Sequence, residues 1–313
     1  MASLAEQVVV TLRQRQKTLS DNNSNNNPLL YHLKKSGNHK KDSGGRVITE
    51  PLIIAENNTV KWFNGLETFT ISEQEVLGAA EFNRKQLAAF VYFSKTDKLE
   101  NRGKEQAIDL MEARIKTAIK TLENTVATSI YSDGTGSNSK ELGGLQVLVD
   151  DDPTSAGTIG GIDQVTELYW RNQYQAAQAL SSSTIRGAMN LQWLSQVRGT
   201  DKPDLILADD DMYNYYESSL QENVRYTTTK SADAGFESIK YKSADVIFDS
   251  NCPDKHMYFL NTDYICLRIS DGCNFAVGDH RQVTNAMYEV VPIEFAGALT
   301  VSNRSLQGVF QAS

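Results

Sequence analysis

The sequence predicts an α+β fold. A single stripe of apolar residues runs through Ile108, Met111, Ile115, Ile119, Leu122, Val126 and Ile130, at helical spacings of three and four. β-branched and aromatic residues dominate positions 46–71 and much of the last quarter of the chain. Of 313 residues, 40% are hydrophobic and 22% charged, the balance of a folded chain and not of a disordered or fibrous one.

The elements follow in order. Residues 1–27 end in SDNNSNNN, a polar tract with too little apolar surface to fold alone. It reads as a flexible arm. A short helix is expected at PLLYHLKKSG, with Pro28 at its start and Gly37 at its end. RVITEPLIIAENNTVKWFNGLETFTI, residues 46–71, is β-rich on both sides of a break at Glu56–Thr59, the pattern of a long β-hairpin. Arms of about 11 residues would each reach about 35 Å. A ribbon of that kind is marginal alone in water. It packs on its own domain or on another subunit, and its residues leave both open.

Ser72 with Glu75 predicts a capped helix over 71–86, and LAAFVYFS, 87–94, a buried strand. The apolar stripe lies in one helix from Asp97 to Ser132, about 50 Å long. ELGGLQVLVDDDPTSAGTIGGID, residues 141–163, follows as a glycine-rich connector. SSSTIRGAMNLQWLSQVRG predicts a second helix, PDLILAD a buried strand, and DDDMYNYYESSLQEN a helix with an acidic start. GFESIKYK, ADVIFDS, MYFLNTD and YICLRIS read as closely spaced strands. QVTNAMYEVVPIEF and ALTVSNRSLQGVF read as two terminal strands divided at Gly297.

Net charge is −8, unevenly spread. Residues 1–46 hold eight basic and three acidic side chains, which leaves the body strongly acidic. Such a body is a poor nucleic-acid reader, whereas a basic arm can dock on acidic surfaces, copies of itself included. No apolar run approaches the roughly 20 residues that span a bilayer, and the start lacks the pattern of a secretory signal. Three cysteines do not make a disulfide framework and fit a reducing compartment.

GTGSNSKE lacks the second glycine and Lys-hydroxyl pair of a P-loop, and GTIGGID does not match G-x-G-x-x-G. The loop from Asp133 fails the EF-hand pattern at its third and sixth positions. Asp150, Asp151 and Asp152 read as a solvated turn before Pro153, and Asp209–Asp211 as a helix start. Cys252, Cys266 and Cys273 lack zinc-site spacing and read as free thiols. No G-x-S-x-G elbow accompanies the four histidines. No catalytic, cofactor-binding or metal-binding residue is expected.

The order of arm, long hairpin, long helix, glycine-rich turn, mixed middle region and closing strands resembles the major capsid protein of tailed bacteriophages, the Hong Kong 97-like fold. SGGRVITEPLIIAENNTVKWFNGLETF resembles its extended loop, and EARIKTAIKTLENTVATSIYSDGT the end of its spine helix. ELGGLQVLVDDDPTSAGTIGGID with YWRNQ resembles the segment after it, and SNRSLQGVF its closing strand. The resemblance runs from about residue 28 to the C-terminus.

It implies an N-terminal arm over 1–45, an extended loop over 46–71, and a peripheral domain over 72–180 with its spine helix at about 97–132. An axial domain over 181–272 and a return to the peripheral domain over 273–313 complete the division. It also implies that the loop reaches a neighbouring subunit, with Arg46, Glu56, Lys61, Trp62 and Phe63 as interface residues. The implied function is self-assembly, as hexamers and pentamers, into an icosahedral head enclosing double-stranded DNA. The implied place is the virion, assembled in the host bacterial cytoplasm, with no membrane partner and no enzyme activity. A portal protein, separate scaffolding and decoration proteins, and non-specific contacts to packaged DNA complete the expected partners. Because about 45 residues precede the loop, any scaffold is expected as a separate protein or absent. Lys61 and Asn303 are the candidates for an intersubunit cross-link, and none is expected to form. The alternatives are an encapsulin-like compartment shell and an α+β hydrolase.

Overall fold

The computed structural model describes residues 27–69, 72–100, 110–155, 157–220, 238–282 and 287–312. The polar N-terminal tract up to residue 26 and residues 101–109 of the predicted long helix, Ile108 included, lie outside them.

Helix α1, Pro28–Lys35, starts where predicted: the Asn27 side chain accepts from the Leu30 amide, and proline occupies the first turn. Leu29 and Leu33 are fully buried. Strand β1, His39–Asp42, then runs parallel to a later strand at Leu267–Ser270. The chain from Asn27 to Asp42 is therefore packed on and paired with the rest of the described chain.

Strand β2, Ile48–Ile53, pairs antiparallel with β3, Leu77–Phe82, in the register Ile48↔Phe82 to Ile53↔Leu77. The hairpin exists, but its second arm lies beyond residue 71, and the helix expected over 71–86 is replaced by β3 and by β4, Lys85–Ser94. Pairing outside the segment overrides the local Ser72/Glu75 signal. Alternation along β2 sends Ile48, Glu50 and Leu52 inwards and Thr49, Pro51 and Ile53 outwards.

A short helix α2, Lys95–Glu100, precedes α3, Leu110–Ser129, the long helix of the stripe. Leu122, Val126 and Ile130 are buried, while Met111, Ile115 and Ile119 pack partly buried with Val91 and Phe93 of β4. Each such burial stabilises by about 1.5–3 kcal/mol. The glycine-rich connector holds α4, Leu145–Leu148, and the small hairpin of β5, Thr158–Ile159, and β6, Ile162–Asp163. Gly144 is required for close approach, since a Cβ there would sit 2.2 Å from the Ile130 carbonyl oxygen.

The middle region supplies β7, Gln173–Gln178, α5, Ile185–Gln196, β8, Leu205–Ala208, and α6, Asp210–Ser219. Strands β9, Ser238–Tyr241, β10, Ala244–Phe248, β11, His256–Leu260, and β12, Ile265–Ser270, follow. After the short β13, Ala276–Val277, and β14, Arg281–Gln282, come β15, Tyr288–Val301, and β16, Gly308–Ala312.

Two six-stranded sheets result. In the first, β15 pairs with β4 along Tyr288–Gly297 and with β12 along Gly297–Val301. The expected break at Gly297 is absent: β15 is continuous, and the glycine is there because a Cβ would lie 2.6 Å from the Arg268 carbonyl oxygen. The second sheet runs β7-β16-β11-β8-β10-β9. The two closing strands thus belong to different sheets and do not pair with each other. Helices α5 and α6 cover one face of the second sheet through Ile185, Met189, Trp193, Met212 and Tyr216. Its other face joins Ile130, Leu145 and Trp170. With both faces covered, Leu205–Ala208 reads as an unbroken apolar run.

The connector and the C-terminal segment meet at Arg304, which is fully buried. Its Nε donates to Leu148 O, and its two terminal nitrogens donate to Gln164 Oε1, Trp170 O and Asn172 Oδ1, at 2.7–3.1 Å. All five guanidinium N–H groups are thereby matched. Burial pulls its pKa down to about 10, opposed by Asp150, so it keeps its charge at neutral pH. The connector is a clasp around a cation, neither a phosphate cradle nor a loose turn. A second tie joins the hairpin base to the first sheet: Arg268 donates to both Glu50 carboxylate oxygens at 2.7 and 2.8 Å, and Thr300 donates to Glu50 Oε1.

Candidate assembly surface

Between β2 and β3 the described residues, 54–69 and 72–76, form a mostly exposed loop. Local side chains shape it. Asn57 Oδ1 accepts from the Thr59 amide and hydroxyl, and Gln74 Oε1 accepts from the Asn58 amide, joining the loop's two limbs. At the tip Lys61 Nζ donates to Thr68 O at 2.8 Å, stands 4.8 Å from the Phe69 ring centre, and lies 3.9 Å from Glu67. Phe63 meets Phe69 edge to face at 5.4 Å.

The tip is ordered around its own lysine, yet its apolar groups point outwards. Trp62 and Leu66 are fully exposed, and Val60 is 82% exposed. Ile53 and Leu77, facing each other across the ribbon, are 82% and 73% exposed. On β4, separately, Phe90 and Tyr92 are exposed while Val91 and Phe93 are buried. Large apolar side chains exposed at a loop tip make it a candidate binding surface.

Of the residues singled out from sequence, Lys61, Trp62 and Phe63 lie together at the tip. Glu56 is exposed on the limb leading to it, and Arg46 is exposed before β2, at the ribbon's base. Sequence reasoning passed over Leu66, Val60, Phe90 and Tyr92. The alternation Phe90-Val91-Tyr92-Phe93 carried a signal that one face of LAAFVYFS is uncovered; reading it as wholly buried was an error.

The titratable clusters elsewhere have partners that explain them. The three thiols are free, and Cys252, buried, donates to the His256 carbonyl oxygen, not to its ring. Burial pushes this thiol's pKa well up, so it stays protonated. His256 opens β11 and is buried. Its Nδ1 lies 2.6 Å from Asp254 O and its Nε2 2.9 Å from Asp151 Oδ2. A carbonyl oxygen and a carboxylate both accept, an arrangement that favours the doubly protonated ring. Burial opposes that charge, but the Asp151 and Asp254 hydrogen bonds and the Asp209 charge outweigh it and raise the pKa. Asp151 is thus tied to β11, against the expected solvated turn. Asp209, Asp210 and Asp211 gather their carboxylates within 4.8 Å at the start of α6. Asp209 accepts from the Lys255 amide and Asp210 from the Asp211 amide, in keeping with a helix start. No described helix is long and apolar enough to cross a membrane.

No family model matches the sequence, and no curated protein matches it. Solved structures do. The capsid asymmetric unit of cyanophage A-1(L) is similar at a TM-score of 0.72 and 16% identity, over 96% of each chain. The capsid of an empty GTA particle is similar at 0.66 and 10% identity, over 100% of this chain and 99% of that one. The holo-SrpI encapsulin of Synechococcus elongatus PCC 7942 is similar at 0.59 and 9% identity, over 96% and 95%. At these identities the likeness is one of fold: this chain has the mixed α+β fold of phage capsid subunits along nearly its whole length.

Proposed function

We propose that this chain is the major capsid protein of a tailed phage, many copies of which close into an icosahedral head around double-stranded DNA. The observation that carries the reading is the apolar tip. An ordered loop that exposes Trp62, Leu66 and Val60 stands on a ribbon anchored in the core through Glu50, and the chain around it folds as shell subunits do. A tip on one side of a subunit and its receptor elsewhere on the next make a head-to-tail contact, the kind that builds rings and closed shells. Arg46, Glu56, Lys61, Trp62 and Phe63 belong to that contact in this reading, and Leu66 joins them.

The first sheet with α3 forms the peripheral domain of the subunit, and the second sheet with α5 and α6 the axial domain. In this division β16 falls in the axial domain. Hexamers and pentamers are the assembly units, DNA is contained by the acidic body without specific grip, and a portal with separate scaffolding or decoration proteins completes the head. The virion is its place, reached by assembly in the host cytoplasm, and its work is structural, without catalysis. Expression of the chain and negative-stain microscopy test this: closed shells of uniform diameter are expected, and a monodisperse small species at high concentration contradicts it.

A compartment shell is the second reading, supported by the likeness to the SrpI encapsulin. The cyanophage capsid is the nearer of the two in fold. Particle contents separate them, since a head holds DNA and admits a portal whereas a compartment holds an enzyme.

A further inference from the structure

The tip contains the chain's only Asn-Gly pair, Asn64–Gly65. A glycine amide is the least hindered backbone nucleophile, having no Cβ beside it. Both residues are exposed, and nothing lies within 4 Å of the place where a Gly65 Cβ would stand. The Gly65 amide donates to no backbone acceptor, and the Asn64 carboxamide makes no hydrogen bond within the described residues. Several other asparagines are held: Asn57 accepts from Thr59, and Asn172 and Asn261 are buried and hydrogen-bonded to Arg304 and Asp263.

We propose that Asn64–Gly65 is a site of spontaneous deamidation that marks subunits left unassembled. The Gly65 nitrogen, its proton taken by hydroxide, attacks Cγ of Asn64. The new N–C bond closes a succinimide ring, and the carboxamide nitrogen leaves as ammonia. Water then opens the ring at either carbonyl, giving aspartate or isoaspartate. No oxidation or reduction occurs. The product adds one negative charge between Phe63 and Leu66, and the isoaspartate form also lengthens the backbone of the tip by one carbon.

The chemistry stands without any reading of function; the marking role rests on the shell reading above. A tip that must enter an apolar contact carries an ionised carboxylate there at high cost. A tip already seated in a neighbour is shielded from water and held in one geometry, so the reaction slows. Deamidation therefore accumulates in free subunits and lowers their competence to join a shell.

The test incubates free subunits and assembled particles side by side at mildly alkaline pH and follows the tip peptide by mass spectrometry and isoaspartate methyltransferase labelling. Conversion at Asn64 should outpace every other asparagine in the free subunit several-fold, slow in particles, and vanish in Asn64→Gln. An intact Asn64 beside converting asparagines elsewhere overturns the proposal. Asn64→Asp should keep the wild-type melting temperature and form fewer particles in sedimentation; full assembly by this variant, or equal conversion in both forms, overturns the marking role. If the wild type forms no particles, the shell reading and the marking role fail together, while conversion in the free subunit still decides the chemistry.

Discussion

The Arg304 clasp and the hairpin tip use the same materials to opposite ends. Each sets a cation near an aromatic ring, Arg304 at 5.9 Å from Trp170 and Lys61 at 4.8 Å from Phe69. Around Arg304 every N–H finds an acceptor within the chain, and Trp170 is buried with its Nε1 donating to Ile159 O. At the tip Lys61 is likewise matched in the chain, but Trp62 and Leu66 are fully exposed. The clasp is complete in one subunit; in the proposed reading the tip is completed by a second. Stability of the subunit and competence to assemble should therefore separate by mutation.

Arg304→Ala should have the largest effect. It leaves Leu148 O, Trp170 O, Gln164 and Asn172 without their donor in a dry site, a loss of about 4 kcal/mol. Urea unfolding of the unassembled subunit measures it, and a change within about 0.5 kcal/mol would remove the clasp from this account. Glu50→Ala comes next at about 2 kcal/mol, because it strands the Arg268 guanidinium at the ribbon base. Its loss should loosen β2 and β3 ahead of the rest, which hydrogen exchange of the Ile48–Ile53 amides would reveal.

A smaller effect belongs to His256. Its raised pKa means that the stability it contributes is complete below the unfolded imidazole value of about 6.5 and is lost as pH rises through the higher folded one. The melting temperature of the wild type should therefore fall on moving to mildly alkaline pH, and His256→Gln should flatten that slope. A wild-type slope of the opposite sign would contradict an imidazolium held by Asp151. The smallest effect on stability is expected from Trp62→Ser with Phe63→Ser, within about 0.5 kcal/mol, since neither side chain contributes to the core. Lys61, which donates to Thr68 O, and Asn303, which accepts from the Ser305 hydroxyl, are expected to stay unlinked. A ladder of oligomers on a boiled denaturing gel of particles would reverse that.

Much of this difference was legible in the sequence, but unequally. The α3 stripe declared itself because one helix face packs on β4 along much of its length, so the 3.6-residue period is unbroken. Trp62 and Phe63 stood out because aromatic residues beside a hairpin tip have no local use. The second arm of the hairpin did not, because Leu77–Phe82 becomes a strand through pairing with Ile48–Ile53 and not through its own propensity. Gly297 read as a break because a sequence does not show whether a glycine turns the chain or lets another backbone pass. Arg304 gave no signal at all: its acceptors are carbonyl and amide oxygens of residues 148–172, far away in the chain and without charge.

The most direct test replaces residues 55–75 by a short Gly/Ser linker, keeping β2 and β3. The cut differs from removal of 46–71, which would also take away Ile48, Glu50 and Leu52, all buried. Sedimentation velocity beside circular dichroism melting reads both properties at once. A subunit whose folding is independent of the tip should melt cooperatively at the wild-type temperature while shells disappear from the profile. Shells of normal size from the shortened chain, or a subunit that no longer folds, would contradict the claim that this loop serves assembly and not the subunit's own core.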